Sequence, residues 1–221
     1  MRCDNFLRAM GISINIKNLL FDLGGVIMDI ERQRCVEALE KLGMYDAGLF
    51  LGDYVQSGPF LRLENGDISA AQFRNEIRAR VAAPLTDLQI DDAMNKFLIG
   101  IPVRRLAQLR HLRSRYKIYM LSNTNPIMFS TKIPECFQIE GYEMNYYFDG
   151  IITSFESHAS KPDLQIFRRA ISTLNIIPEE TLFFDDSEKN IEAARGLGFN
   201  THLVRPGEEF YDFFLNQDSA K

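Results

Sequence analysis

Leu19-Leu20-Phe21-Asp22-Leu23-Gly24-Gly25-Val26 carries an apolar run into a carboxylate and then into two glycines. A carboxylate at a strand end beside glycines is where an open α/β sheet places reactive groups. Two later runs have the same form. Ile118-Tyr119-Met120-Leu121 leads into Ser122-Asn123, and Leu182-Phe183-Phe184 leads into Asp185-Asp186. Their lack of alternation suits strands buried on both faces of a parallel sheet. Ile151-Ile152-Thr153 and His202-Leu203-Val204 are weaker strand candidates.

Helical spacing fills the intervals. Val103 to Arg115 places Leu106, Leu109 and Leu112 on one side, with Arg104, Arg105, Arg110 and Arg113 read as a solvated face. Asp163 to Leu174 carries Ile166, Phe167, Ala170, Ile171 and Leu174 at helical spacing behind Pro162. Glu188 to Leu197 stops at Gly198. Strand–helix alternation predicts right-handed crossovers and an α/β, doubly wound parallel sheet.

Residues 31 to 100 read differently, as helices without a convincing strand. Ser69-Ala70-Ala71-Gln72 and Thr86-Asp87-Leu88-Gln89 each match a capping box ahead of apolar-periodic residues, Phe73, Ile77 and Val81 in one case and Ile90, Met94 and Phe97 in the other. The expected organisation is a discontinuous core of 1–30 and 101–221 with a helical insert at 31–100. Arg62 and Glu64, ahead of the Gly66-Asp67 turn, are read as surface residues rather than as groups reaching a site. Tyr142, Tyr146, Tyr147 and Phe148 are read as packing rather than pocket lining, and His111, His158 and His202 as incidental.

The net charge of −5 argues against nucleic acid, whose phosphates select basic surfaces. Cys3, Cys35 and Cys136 are odd in number and widely spaced, so neither a zinc site nor a disulfide framework is expected, and reduced thiols point to a cytoplasmic protein. The absence of a long apolar stretch argues against a membrane partner. Met1 to Asn15 reads as a short extension, with Met10 an alternative start. Oligomeric state is not readable.

Asp22 suits nucleophilic attack on phosphorus, although a lone Asp more often serves as a helix cap or turn residue; Gly24 and Gly25 beside it favour the former. Asp185-Asp186 would repel one another unless a cation sat between them and Asp22, and Mg²⁺ favours a few carboxylates, a backbone carbonyl and waters. Successive residues diverge at a strand end, so Asp186 is taken as the direct ligand. A Ser122 hydroxyl is able to hold a phosphoryl oxygen. A Lys161 ammonium is able to neutralise the phosphoryl group and the attacking carboxylate.

Taken in order, Phe21-Asp22-Leu23-Gly24-Gly25-Val26, Leu121-Ser122-Asn123, Ser160-Lys161-Pro162 and Phe184-Asp185-Asp186-Ser187-Glu188-Lys189-Asn190 resemble the four signature segments of the haloacid dehalogenase-like (HAD) hydrolase superfamily. The resemblance covers nearly the whole chain. It implies a Rossmann-like core with a type-1 helical cap. It further implies Asp22 as nucleophile, Asp22, the Gly24 carbonyl and Asp186 around Mg²⁺ with Asp185 acting through water, Ser122, Asn123 and Gly24 at the phosphate, Lys161 as charge clamp, and Asn190 supporting the metal loop. The implied partner is a small phosphorylated metabolite.

One departure stands out. Phosphatases of this family resemble Asp-x-Asp, with the second Asp as general acid and base, whereas position 24 is glycine. Losing a general acid costs about 10²–10⁴ in rate. The Phe-Asp-Leu-Gly-x-Val variant, Ser122-Asn123-Thr124-Asn125 and Phe184-Asp185-Asp186 are similar to the bacterial α-glucose-1-phosphate phosphatase subgroup, which favours a sugar phosphate. Two alternatives stand beside it. One is a non-catalytic phosphate-binding module. The other is a metal-independent 2-haloacid dehalogenase, whose branch resembles Asp-x-Tyr-Gly and leaves Asp185-Asp186 without a task.

Overall fold

The computed structural model describes residues 15–52 and 56–215 and the backbone of 216–218. The expected extension from Met1, including Met10 and Cys3, lies outside the described residues apart from Asn15.

Five strands form the central sheet: β1 (Asn18–Phe21), β4 (Lys117–Ser122), β5 (Gly150–Thr153), β6 (Thr181–Asp185) and β7 (Asn200–Leu203). Their order is β5-β4-β1-β6-β7 and every pairing is parallel. The expected doubly wound parallel sheet is therefore present. Alternation along β1 divides the core. Leu19 and Phe21 belong to one buried cluster, and Leu20 belongs to another with Leu121, Phe167 and Phe183. Phe21 stacks on Phe184 at 4.7 Å and meets Phe210 edge-on at 5.1 Å. Side chains of this size contribute about 1.5–3 kcal/mol each when fully buried, which is why these runs hold the centre of the sheet.

Between β1 and β4 the chain leaves the sheet. Asp29–Ile30 (β2) pairs antiparallel with Leu98–Gly100 (β3). The described residues between these two strands form α1 (Arg32–Lys41), α2 (Ala47–Phe50), α3 (Gly58–Glu64), α4 (Ala70–Arg78) and α5 (Asp87–Asn95). Both capping boxes close as read: Ser69 and Gln72 cap α4 reciprocally, and Thr86 and Gln89 cap α5. Phe60, Leu63, Phe73, Ile77, Ile90 and Met94 are buried at the joint of these helices. The strand at residues 98–100 corrects the expectation of an insert without strands. Three residues are too short to show alternation, and β3 exists only because β2 lies opposite.

The arginine-rich helix is α6 (Val103–Leu112), and its reading as a solvated face needs correction. Arg105 is buried. Its Nε donates to Glu209 Oε2 at 2.7 Å, and its Nη1 donates to Asp29 Oδ1 at 2.7 Å and to the Ile27 carbonyl at 3.2 Å. Arg110 pairs with Glu140, and Arg113 with the Tyr146 carbonyl and Asp149. Charge spacing on a helix does not show where partners from distant segments arrive.

Arg105 thus ties β2 to the segment after β7. Arg105→Met is expected to cost about 1–3 kcal/mol at neutral pH by leaving the Ile27 carbonyl and two partly buried carboxylates unpaired, read as a lower urea midpoint at unchanged m. The hydrogen bond from Arg105 holds Glu209 below its ordinary value of 4.5. Its contribution is present above 4.5 and lost as pH falls through the lower folded value. The gap between variant and wild type therefore narrows in acid; a gap independent of pH would refute this account.

Candidate active site

The carboxyl ends of three adjacent strands supply the candidate residues. Asp22 follows β1, Ser122 ends β4 and Asp185 ends β6. β1 lies between the other two, so the chain departs from it in both directions, and this switch point opens the crevice where α/β sheets bind ligands.

The loop after β1 is a tight turn. Ile27 and Met28 N–H groups donate to the Leu23 carbonyl, and the Gly25 N–H donates to the Met28 carbonyl. Gly25 has φ 73°, and a Cβ there would lie 2.4 Å from Asp186 Oδ2. Glycine is required at 25 for both reasons: a left-handed backbone and close approach of a carboxylate. Gly24 is under neither constraint. A Cβ at 24 would meet only Ile30, 3.3 Å from Cδ1.

Lys161 is the centre of a buried ionic cluster. Its Nζ lies 2.8 Å from Asp22 Oδ1 and 2.7 Å from Asp185 Oδ2. Burial works against the ammonium, but Asp185 and Asp22 outweigh it and hold Lys161 above its ordinary value. Burial pushes the Asp22 carboxyl up to about 8; Lys161 opposes this, while Asp185 and Asp186 add to it. Asp186 is raised to about 6 by burial and then by Asp185. The remaining oxygen of Asp185 accepts from the Ser187 N–H and from Asn190 Nδ2, each at 2.9 Å. Asp185 is therefore engaged on both oxygens, whereas Asp186 faces the Gly25 turn.

Asp22, Asp185 and Asp186 each present a carboxylate oxygen, all within 4.8 Å of one another. One lysine does not balance three acids at this spacing, and hard oxygen donors fit a small divalent ion such as Mg²⁺.

Asn123, expected at the phosphate, lines the cavity, and its side-chain amide is engaged by Lys161. Its amide donates to the Lys161 carbonyl at 2.9 Å and accepts from the Lys161 N–H at 2.8 Å. It clamps the lysine's backbone from the end of β4. The Thr124 N–H donates to Ser154 Oγ at 3.0 Å, and that hydroxyl donates back to the Thr124 carbonyl at 2.9 Å, fixing the same loop from the residue after β5.

All seven predicted residues belong to this neighbourhood, and Asp22, Gly24, Ser122, Asn123, Lys161 and Asp186 line one cavity of about 120 Å³. Its other walls come from the helical block and from the start of the helix at Pro126–Ser130. Gln56, Phe60, Glu64, Met94 and Phe97 face the site from the former. Glu64, expected at the surface, is instead buried here. Arg62, two residues earlier on the same helix, is exposed and pairs with Glu76. The Gly66-Asp67 turn and the Ser69–Gln72 capping box mark the start of the following helix, and nothing in them shows which side of Gly58–Glu64 meets the core. Tyr142 and Tyr146 stack on each other at 4.1 Å outside the cavity.

A family profile described as haloacid dehalogenase-like hydrolase matches residues 16–198, more than three quarters of the chain. The chain belongs to this family. Among HAD-like hydrolases it is 38% identical over 195 residues to the D-ribitol-5-phosphate phosphatase of Bacteroides thetaiotaomicron, covering 88% of this chain and 95% of that one. A HAD-family enzyme of the same organism, crystallised with magnesium and inorganic phosphate, superposes with a TM-score of 0.84 at 38% identity, over 90% of this chain and 99% of that one. The L-2-haloacid dehalogenase of Xanthobacter autotrophicus shares the fold, with a TM-score of 0.58 at 20% identity over 86% of this chain and 77% of that one. Within the HAD-like hydrolases, this chain thus resembles a phosphatase far more than a dehalogenase.

Proposed function

We propose that this HAD-like hydrolase is a Mg²⁺-dependent phosphatase of small phosphorylated metabolites that acts through an aspartyl-phosphate on Asp22. The observation that carries the reading is the cluster of Asp22, Asp185 and Asp186 around Lys161 at the sheet's switch point. The dehalogenase reading leaves three acids crowded without a task.

Asp22 is the nucleophile. The Leu23 N–H and Lys161 both contact its Oδ1, which leaves Oδ2 to attack phosphorus. Asp22, Asp186 and the Gly24 carbonyl are the residues that would hold Mg²⁺, with Asp185 contributing through water because both its oxygens are engaged. Bound there, the ion neutralises charge on the transferring phosphoryl group. Lys161 does the same from the other side and keeps Asp22 oriented. Ser122 donates to a phosphoryl oxygen. Asn123 acts chiefly by holding the Lys161 backbone.

The block at 31–100 acts as a cap over the core of 1–30 and 101–221 and closes the site from water. The relative's action on D-ribitol 5-phosphate supports a sugar or polyol phosphate as substrate. A cavity of about 120 Å³ suits a leaving group of a few carbons. No described helix is long and apolar enough to cross a membrane. Cys35 and Cys136 are free and buried, which supports a reducing compartment such as the cytoplasm.

A panel of hexose and pentitol phosphates with and without Mg²⁺ tests the reading. EDTA is expected to remove hydrolysis and Mg²⁺ to restore it. Mg²⁺ at about 100 times its Kd should also stabilise the fold by about 2.7 kcal/mol. Metal-independent chloride release from 2-chloropropionate, or phosphate binding without turnover, would overturn it.

A further inference from the structure

Glycine at 24 leaves the proposed phosphatase without the side chain that would protonate the leaving group from the first loop. The geometry points to Glu64, carried into the cavity by the cap, as the general acid and base of this reaction. The inference rests on the phosphatase reading and adds a residue to it.

Glu64 is the last residue of α3, which ends at the Asn65–Gly66 turn. Two contacts seat that turn on the core. The Ser160 hydroxyl donates to Asn65 Oδ1, next to Lys161. Gly66, with φ 71°, packs so closely on the Phe155 carbonyl that a Cβ there would lie 2.1 Å from it. These contacts hold the preceding residue against the cavity that Asp22, Gly24, Ser122 and Lys161 also line. Glu64 is 9% exposed and makes no ion pair among the described residues. An acidic group is seldom buried on an otherwise apolar helix face without a task.

Several charged groups surround it. Lys161 and Ser160 approach from the loop after β5. His158 Nδ1 lies beside Gly66, and Asp22 and Asp186 line the same cavity. Arg62, on its own helix, is paired with Glu76. Burial raises Glu64 to about 7, with Lys161 and Ser160 pulling it down. A carboxyl at that value is able to give and regain a proton near neutrality.

The proton accounting closes over one cycle. The cycle starts from protonated Glu64 and ionised Asp22, whose charge beside Asp185 and Asp186 a divalent ion would offset. Asp22 Oδ2 bonds to phosphorus as the bond to the ester oxygen breaks. That oxygen takes the Glu64 proton and leaves as an alcohol. Glu64, now ionised, removes a proton from water as the water attacks phosphorus. The bond to Asp22 breaks, phosphate departs, and both carboxyls return to their starting states.

The test compares Glu64→Gln with wild type on two substrates with Mg²⁺. One is p-nitrophenyl phosphate, whose leaving group needs no proton. The other is D-ribitol 5-phosphate, or whichever alkyl monophosphate the wild type hydrolyses. With the alkyl ester, kcat should fall about 10²–10⁴-fold at little change in KM. With p-nitrophenyl phosphate, E64Q should release one equivalent of p-nitrophenolate in a burst and then stall, because phosphoenzyme hydrolysis lacks its base. The limb of the wild-type pH–rate profile near 7 should vanish. Gly24→Asp, for which the end of the Ile30 side chain has to yield by a few tenths of an ångström, should restore alkyl-ester turnover at least about tenfold in the E64Q background, by replacing an acid in the first loop. Equal losses on both substrates without a burst, a change in KM alone, or wild-type kcat in E64Q would overturn the role of Glu64. A wild type inert towards every monoester would instead sink the phosphatase reading itself.

Discussion

Asp22→Asn is expected to lower hydrolysis of phosphate monoesters by about 10⁴-fold or more, because it removes the atom that bonds to phosphorus. The amide is isosteric, so the fold should survive. Stability gives an independent check. Burial has raised the Asp22 carboxyl to about 8 from an ordinary 3.8. The unfolded chain ionises first as pH rises, so above 3.8 this group works against folding, increasingly up to its folded value. The amide is free of that cost. The thermal midpoint of D22N at pH 7 in EDTA should therefore be no lower than that of wild type. Turnover by D22N comparable to wild type would show the nucleophile misassigned. Loss of turnover together with a collapsed midpoint would show a structural role instead.

Lys161→Met should produce the largest loss of stability. It keeps the length of the side chain and deletes the cation between Asp22 and Asp185, the latter wholly buried. Removing one partner of a buried pair leaves an uncompensated charge and costs about 3–5 kcal/mol, a large share of the roughly 5–15 kcal/mol that holds a domain together. In wild type, Lys161 is held above its ordinary 10.5, so its contribution is complete below that value and fades only as pH rises through the higher folded value. The variant should thus be far less stable at pH 7 in EDTA and recover relative to wild type in acid, where the carboxyls are neutral. Mg²⁺ should recover part of the loss by supplying charge to the same acids. Thermal midpoints across pH, with and without Mg²⁺, read all three effects. A midpoint at pH 7 unchanged from wild type would show that the carboxyls do not depend on this lysine.

The two variants separate chemistry from architecture. One removes the reacting atom and leaves the charge balance of the site no worse. The other removes the balance itself. That distinction follows from burial prevailing at Asp22, whereas neighbouring acids prevail over burial at Lys161.

Much of the site was legible because its residues sit at the ends of apolar runs. Asp22, Ser122 and Asp185 each terminate or follow a strand of one sheet, and parallel strands bring such ends together automatically. Other residues were not legible for definite reasons. Glu64 lies in a helix whose inward side is set by Asn65 on Ser160 and Gly66 on Phe155, contacts across nearly a hundred residues of chain. Arg105 looks like its solvated neighbours until Asp29 and Glu209 arrive from either end of the chain. Asn123 is adjacent to Ser122, yet its amide turns to the backbone of Lys161. The pair Leu98–Gly100 and Asp29–Ile30 makes a ladder too short for periodicity to announce.

The amino-acid sequence by itself determined the parallel α/β sheet, the helical block between its first strands and the acids and hydroxyl at the strand ends. These follow from local patterns, where apolar runs, caps and turn glycines act over a few residues. Tertiary structure alone decided which oxygens of those acids are occupied, why position 25 must be glycine while 24 need not be, and that a glutamate of the helical block lines the same cavity. Those outcomes depend on approach between segments far apart in the chain, and burial there changes the charge behaviour of side chains that look ordinary in one dimension.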